Sequence, residues 1–318
     1  MAMSRATGAD DAELAILVPG GGGQLGRDLV AAGRALGERV EVIAPGSDEL
    51  DVTEPGAVVE AVADLAVGAA QTGRRAVVVN AAAYTAVDAA EENEETAFAV
   101  NADGPRMLAA VCSSRGVPLV HVSTDYVFPG DAERPYEPDD PLGPRSAYGR
   151  TKAAGEDAVL GSGALAWVVR TSWLYGTSGR NFVKTMIDLE STRDTLSVVD
   201  DQVGSPTYSA DLARGLLELA ERIASGRAPK STVLHYANTG ETTWCGLARA
   251  VFAELGADPQ RVRPCTTEEF PRPAPRPAYS VLSTASWTAA GLSAPRPWRD
   301  ALAAFFADLR SQDSSARR

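Results

Sequence analysis

Cysteine is scarce in this sequence, basic charge is in deficit, and no apolar run is long. The three cysteines, Cys112, Cys245 and Cys265, are odd in number and widely separated. That pattern excludes a disulfide framework and a zinc site, and it suits thiols kept reduced in a cytoplasm. Lys and Arg total 30 against 42 Asp and Glu, a net charge of −12. Nucleic acid is therefore not an expected partner, because phosphate binding needs a clustered basic surface. The apolar stretch after Glu13 is too short to span a bilayer, and the first residues lack the charged-then-apolar plan of a signal peptide. No membrane partner and a cytoplasmic location follow as expectations. Residues 1–12 and 311–318 are small and polar and predict disordered tails. What the chain does have is 318 residues with 45% hydrophobic content, enough to bury a core and to form two unequal lobes.

Strand-like runs at 14–19, 39–44, 76–80, 117–124 and 166–172 alternate with helical patterns at 24–37, 54–70, 94–115 and 146–160. This alternation predicts an α/β chain with a Rossmann-like, doubly wound parallel sheet. After Gly176 the pattern loosens. Helices at 180–191, 209–224, 243–255 and 298–310, with strands near 195–200 and 232–237, suggest a smaller carboxy-terminal substrate-binding lobe. The expected division is a dinucleotide-binding domain at 13–176, with returning segments near 195–225, and a substrate lobe mainly at 177–310. The Pro-rich stretch Pro271 to Pro277 reads as a rigid connection.

The first strand-like run ends in Gly20-Gly21-Gly22-Gly23-Gln24-Leu25-Gly26, followed by a helical pattern. Gly20, Gly23 and Gly26 fit a G-x-x-G-x-x-G spacing, in which glycines allow a tight turn and close approach of the backbone to a pyrophosphate at a helix amino terminus. No Gly-Lys-Ser/Thr follows, so the loop is not that of an NTP-hydrolysing enzyme. The second strand ends in Ala44-Pro45-Gly46-Ser47, with neither an acid for a ribose 2′-hydroxyl nor an Arg for a 2′-phosphate. NADPH and NADH both remain open. Arg27, Arg34 and Arg39 read as solvated charges.

Tyr148 and Lys152 stand four residues apart on a helical pattern, on one face. A phenol titrates near ~10 unperturbed, and a nearby cation is expected to lower that value. Thr124 adds a hydroxyl at a strand end, where open α/β sheets carry their sites. Together the three read as a set for moving a proton to or from a carbonyl oxygen. His121 and His235 read as packed strand residues.

Further stretches carry a resemblance. They are Asn80 to Asp88, Ser123 to Phe128, Arg170 to Gly176, Asn181 to Met186, Asp201 to Thr207, and Arg276-Pro277 leading to Ser280 and Leu282. With the glycine loop and the Tyr–Lys pair, the chain from about Leu14 to about Leu309 resembles the extended short-chain dehydrogenase/reductase superfamily and, within it, the dTDP-4-dehydrorhamnose reductases. The resemblance implies an enzyme that reduces the C4 keto group of dTDP-4-dehydro-L-rhamnose with NADPH or NADH. It implies Thr124, Tyr148 and Lys152 as catalytic residues. Gly20, Gly23, Gln24, Leu25 and Gly26 would hold the cofactor at the pyrophosphate, and Asp51 and Val52 beside the adenine. Ala82, Ala83, Tyr84 and Thr85 would lie under its centre, and Tyr148 and Lys152 at the nicotinamide end. Thr124, Asp125, Trp173, Lys184 and Arg276 would contact the dTDP-sugar. Family members are described with Mg2+ at a subunit contact, which would make a homodimer, but no spacing here identifies metal ligands. The alternatives are another sugar-nucleotide 4-ketoreductase or epimerase, or a non-catalytic regulatory subunit of methionine adenosyltransferase. A dehydratase is disfavoured, since Asp125 is followed by Tyr126 where such enzymes usually have Glu.

Overall fold

A computed structural model describes residues 13–316. The expectation for residues 1–12 lies outside these, as does that for 317–318. The strands β1 (Leu14–Leu17), β2 (Val40–Ile43), β3 (Arg75–Asn80), β4 (Leu119–Thr124) and β5 (Ala166–Thr171) join the strand Val233–His235 in one sheet. The order is Val233–His235, β5, β4, β3, β1, β2, and every pairing is parallel. Successive side chains of a strand point to opposite faces, so a strand buried on both must be apolar throughout. β1 satisfies this. Leu14 and Ile16 pack with Leu25, Leu29, Leu212 and Leu216 on one face, and Ala15 and Leu17 with Val58, Val62, Leu65 and Leu108 on the other.

Helix α1 (Gln24–Ala35) covers the first face together with the helix Ser209–Ala224, and α2 (Pro55–Thr72) covers the second with the helix Gly104–Arg115. α2 starts with Pro55 in its first turn and stops at Gly73, whose φ of 72° suits glycine. A separate core joins Tyr175, Val183, Phe252, Trp298 and Phe305. Its strand Leu196–Val199 pairs in parallel with Val262–Cys265, a polar segment containing Pro264 that gives little strand signal.

Three boundaries differ from the sequence reading. The segment that returns to the main sheet is the helix Ser209–Ala224 and the strand Val233–His235, whereas Leu196–Val199 pairs elsewhere. The single helix expected at 94–115 is divided into Glu94–Phe98, a π-turn at Ala99–Asp103 and Gly104–Arg115. The last helix runs Trp298–Ala316, so residues 311–316 continue it instead of forming a tail.

Candidate active site

The order of strands reverses between β1 and β3, and open α/β sheets bind ligands at the carboxyl ends beside such a point. The glycine loop leaves β1 there. Gly20 takes a φ of 84°, and a Cβ on it would lie 2.7 Å from the Ala82 nitrogen, on the segment after β3. A Cβ on Gly21 would collide with the Ala44 carbonyl after β2. Only glycine lets these segments close together. α1 then begins at Gln24 with neither a capping side chain nor an acid in its first turn, leaving its terminal N–H groups suited to an anion. Gly26 is buried and serves the packing of α1 against the loop. This cradle fits a dinucleotide. Asp51 accepts from Thr53 N and Oγ1 at 2.9 and 2.8 Å, while Val52 packs on Gly104.

Two features near the loop were not evident in the sequence. Glu49 Oε2 accepts from Gly46 N at 3.0 Å, which brings an acidic residue to the loop after β2. Arg27 Nε donates to Gly22 O at 3.1 Å, placing a guanidinium beside the glycine loop.

Ser146 caps the helix Ala147–Leu160 by accepting from Gly149 N at 3.1 Å. This fixes the first turn, with Tyr148, against the end of β4. The Tyr148 hydroxyl hydrogen-bonds Thr124, and Thr124 Oγ1 donates to Asp125 Oδ1 at 2.9 Å. Burial pushes the Tyr148 phenol up to about 12; the Thr124 hydrogen bond opposes this and the Asp125 charge adds to it. The expected lowering by Lys152 does not occur, because the Lys152 ammonium turns toward β4. Lys152 Nζ donates to Val122 O at 2.7 Å and lies 3.3 Å from His121 Nε2. Burial lowers Lys152 to about 8, with Glu156 opposing. Burial also raises the Asp125 carboxyl to about 6, against the Ser280 and Thr124 hydroxyls.

Tyr126 meets Tyr148 edge-on, with centroids 5.5 Å apart, and lines a cavity of about 760 Å3 with Phe182, Gln202, Trp244, Arg272 and Arg276. The Pro-rich stretch expected as a connection forms one wall. Arg276 Nη2 is 2.9 Å from Asp88 Oδ1, and Arg272 Nη1 is 3.7 Å from Asp88 Oδ2. Trp173, at a φ of 45°, stacks on Trp244 with centroids 3.6 Å apart, so Trp244 is the indole among the cavity residues. Lys184 stands apart from Arg276. Its Nζ donates to Thr177 O at 3.1 Å, and Asn181, which caps its helix, donates to Gln24 Oε1 at 2.9 Å, next to the glycine loop.

The sequence reading also missed Asn101, in the π-turn. It accepts from Tyr84 N at 2.8 Å and donates to Tyr84 O and Thr151 Oγ1, both at 3.1 Å. It thereby ties the Ala83–Thr85 segment to the Tyr148 helix, and π-turns are often found at functional sites. Beneath that helix, Arg170 of β5 holds Glu156 through bonds of 2.7, 3.0 and 3.1 Å, both side chains buried. Among the described residues, no three His, Cys, Asp or Glu side chains gather as a metal site. The magnesium ion implied by resemblance has no matching donor set there.

A parallel sheet with a glycine cradle at its reversal point, and a Tyr–Lys pair one helical turn apart at the end of β4, defines a nucleotide-dependent α/β protein of the extended short-chain dehydrogenase/reductase type. The chain belongs to the family described as RmlD substrate binding domain, which matches residues 14–311. It is 48% identical over 308 residues to the dTDP-4-dehydrorhamnose reductase of Mycobacterium tuberculosis, covering 95% of this chain and 96% of that one. It is 51% identical over 296 residues to a probable dTDP-4,6-dihydroxy-2-methyloxan-3-one 4-ketoreductase of Streptomyces antibioticus, covering 92% and 95%. The crystal structure of dTDP-4-dehydrorhamnose reductase from Bacillus anthracis in complex with NADP superposes with a TM-score of 0.84, at 34% identity, over 92% of this chain and 99% of that one.

Proposed function

We propose that this chain reduces the C4 keto group of dTDP-4-dehydro-L-rhamnose to give dTDP-L-rhamnose. The observation that carries this reading is the half-buried Tyr148, bonded to Thr124, one helical turn from Lys152 and in edge contact with Tyr126 of the large cavity. Bound reduced nicotinamide supplies the hydride to C4. As alkoxide character grows on the oxygen, Tyr148 donates its proton, and a phenol held near 12 stays protonated until that charge develops. Thr124 orients the phenol, and Asp125 orients Thr124. Lys152, in its charged form, is the cation one helical turn from the phenolate left behind, and it reaches the phenolate by turning from Val122 O. Arg276 and Arg272 offer cations to the substrate diphosphate, and Lys184 offers another from the glycine-loop side.

The cradle residues Gly20, Gly23, Gln24 and Leu25, with Ala82 to Thr85 opposite, hold the dinucleotide. Arg27 favours a 2′-phosphate and Glu49 disfavours it, so both NADPH and NADH serve, with a mild preference for NADPH. A second reading, reduction at C4 of a different dTDP-6-deoxy sugar, rests on the Streptomyces antibioticus relative.

The test supplies purified protein with dTDP-4-keto-6-deoxy sugars and either cofactor, following nicotinamide absorbance. Turnover to the rhamnose nucleotide is expected. No turnover with any such sugar, magnesium added, would remove the reductase reading.

A further inference from the structure

Lys152 is fully enclosed, yet no carboxylate lies within ion-pair distance among the described residues. Glu156, one turn further along the helix, is engaged by Arg170. Tyr148 is one turn back, and Asp125 is beyond Thr124 at the end of β4. From the π-turn, the polar group toward this helix is Asn101, spent on Thr151 and Tyr84. The titratable group that meets the Lys152 nitrogen is therefore His121, with Nε2 at 3.3 Å.

The proton on that imidazole is fixed from behind. Ala82 N donates to Asn80 Oδ1 at 3.1 Å, which orients the amide and turns Asn80 Nδ2 toward His121 Nδ1, also at 3.1 Å. An NH2 can only donate, so Nδ1 must accept, and a neutral imidazole then carries its proton on Nε2. Nε2–H faces Lys152, which satisfies both nitrogens only when the amine offers a lone pair. A charged ammonium would need an acceptor there. Supplying one would require the Asn80 amide to turn over and leave two donors facing each other at Ala82. His121 itself stays neutral, since burial first and the Lys152 charge second hold it well below its ordinary value.

We propose that His121, oriented by Asn80, is a positioning residue that disfavours the charged form of Lys152 and so sets the upper pH limit of the Tyr148–Lys152 pair. Because Ala82 also lies against Gly20 of the dinucleotide cradle, the same chain links the charge on Lys152 to the loop that would hold the cofactor. The kinetic consequence rests on the reductase reading above; the protonation chain does not.

The experiment uses full-length protein labelled at histidine and lysine. The chain has two histidines, His121 and His235, and three lysines, Lys152, Lys184 and Lys230, so the NMR signals are assignable by single substitutions. In wild type His121 is expected as the Nε2–H tautomer. Asn80→Asp presents an acceptor to Nδ1, moves the proton there and turns Nε2 into an acceptor. His121→Gln offers a carbonyl directly. Each is expected to raise the Lys152 midpoint by about one pH unit, a tenfold change in its proton affinity, and to move the alkaline limb of kcat/KM with it. If Asn80→Asp does not fold, His121→Gln and the wild-type tautomer decide. An Nδ1–H tautomer in wild type, or a Lys152 midpoint unmoved in the folded variants, overturns the proposal. These signals need no substrate, so an inactive wild-type protein would sink the reductase reading without affecting them.

Discussion

Asp125→Asn separates stability from function and can be worked through from the structure. Asp125 is 2% exposed, and burial raises its carboxyl from 3.8 to about 6. A group whose folded value lies above its unfolded value stabilises the fold at low pH and loses that contribution as pH rises through the folded value. The loss here falls between about pH 4 and pH 6. Two pH units correspond to about 3 kcal/mol, an upper figure because a buried site relaxes. We take about 2 kcal/mol as the cost of keeping Asp125 ionised at pH 8. Asparagine keeps the acceptor for Thr124 and carries no charge, and the Ser280 hydroxyl can accept from its NH2. Asp125→Asn should therefore be more stable than wild type at pH 8 by about 2 kcal/mol, roughly 4 °C in Tm for a chain of this size. At pH 4 the advantage should shrink to a few tenths of a kcal/mol, because the carboxyl is protonated in the folded state and half protonated in the unfolded one. Calorimetry of both proteins at pH 4, 6 and 8 measures this. Turnover should fall in the same variant, since Thr124 loses its charged partner. A Tm difference that does not vary with pH, or a variant less stable at pH 8, would refute the assignment of a buried ionised carboxylate.

Other outcomes follow from the same geometry. Tyr148→Phe removes the proton donor and keeps the ring, so turnover should drop by a factor on the order of 10² or more with dinucleotide binding retained by calorimetric titration; near-normal turnover would place the donor elsewhere. Arg27→Ala should raise the KM for NADPH by about fivefold, roughly 1 kcal/mol for an exposed contact, and leave NADH unchanged; an equal effect on both cofactors would take Arg27 off the 2′-phosphate. Glu156→Gln leaves Arg170 charged and buried without its partner, which typically costs about 3–5 kcal/mol; denaturant midpoints within 0.5 kcal/mol of wild type, an order-of-magnitude threshold for a neutral surface change, would contradict that.

Local pattern alone carried the architecture. Continuous apolar runs such as Leu14 to Val18 declare strands buried on both faces, and Pro55, Gly73 and Ser146 mark helix ends because their preferences act over a single turn. Gly20 to Gly26 declared a close backbone approach for the same reason, and Tyr148 and Lys152 had to share a helical face. The family membership was likewise legible, since its motifs are collinear. Residues that meet only through the fold were not legible. Nothing near Asn101 in sequence announces Tyr84 and Thr151, and nothing near Asp88 announces Arg272 and Arg276. The strand Val262–Cys265 was missed because its pairing with Leu196–Val199 comes from a partner 66 residues away in the chain, not from its own composition. The protonation of the pair was decided by tertiary structure as well. Helical spacing placed the ammonium beside the phenol, but the Val122 carbonyl and His121 drew it toward β4, and burial raised the phenol that proximity alone would have lowered. Spacing along the chain fixes which side chains share a face; their charge depends on solvent exclusion and on partners from other strands, and these exist only once the sheet has closed.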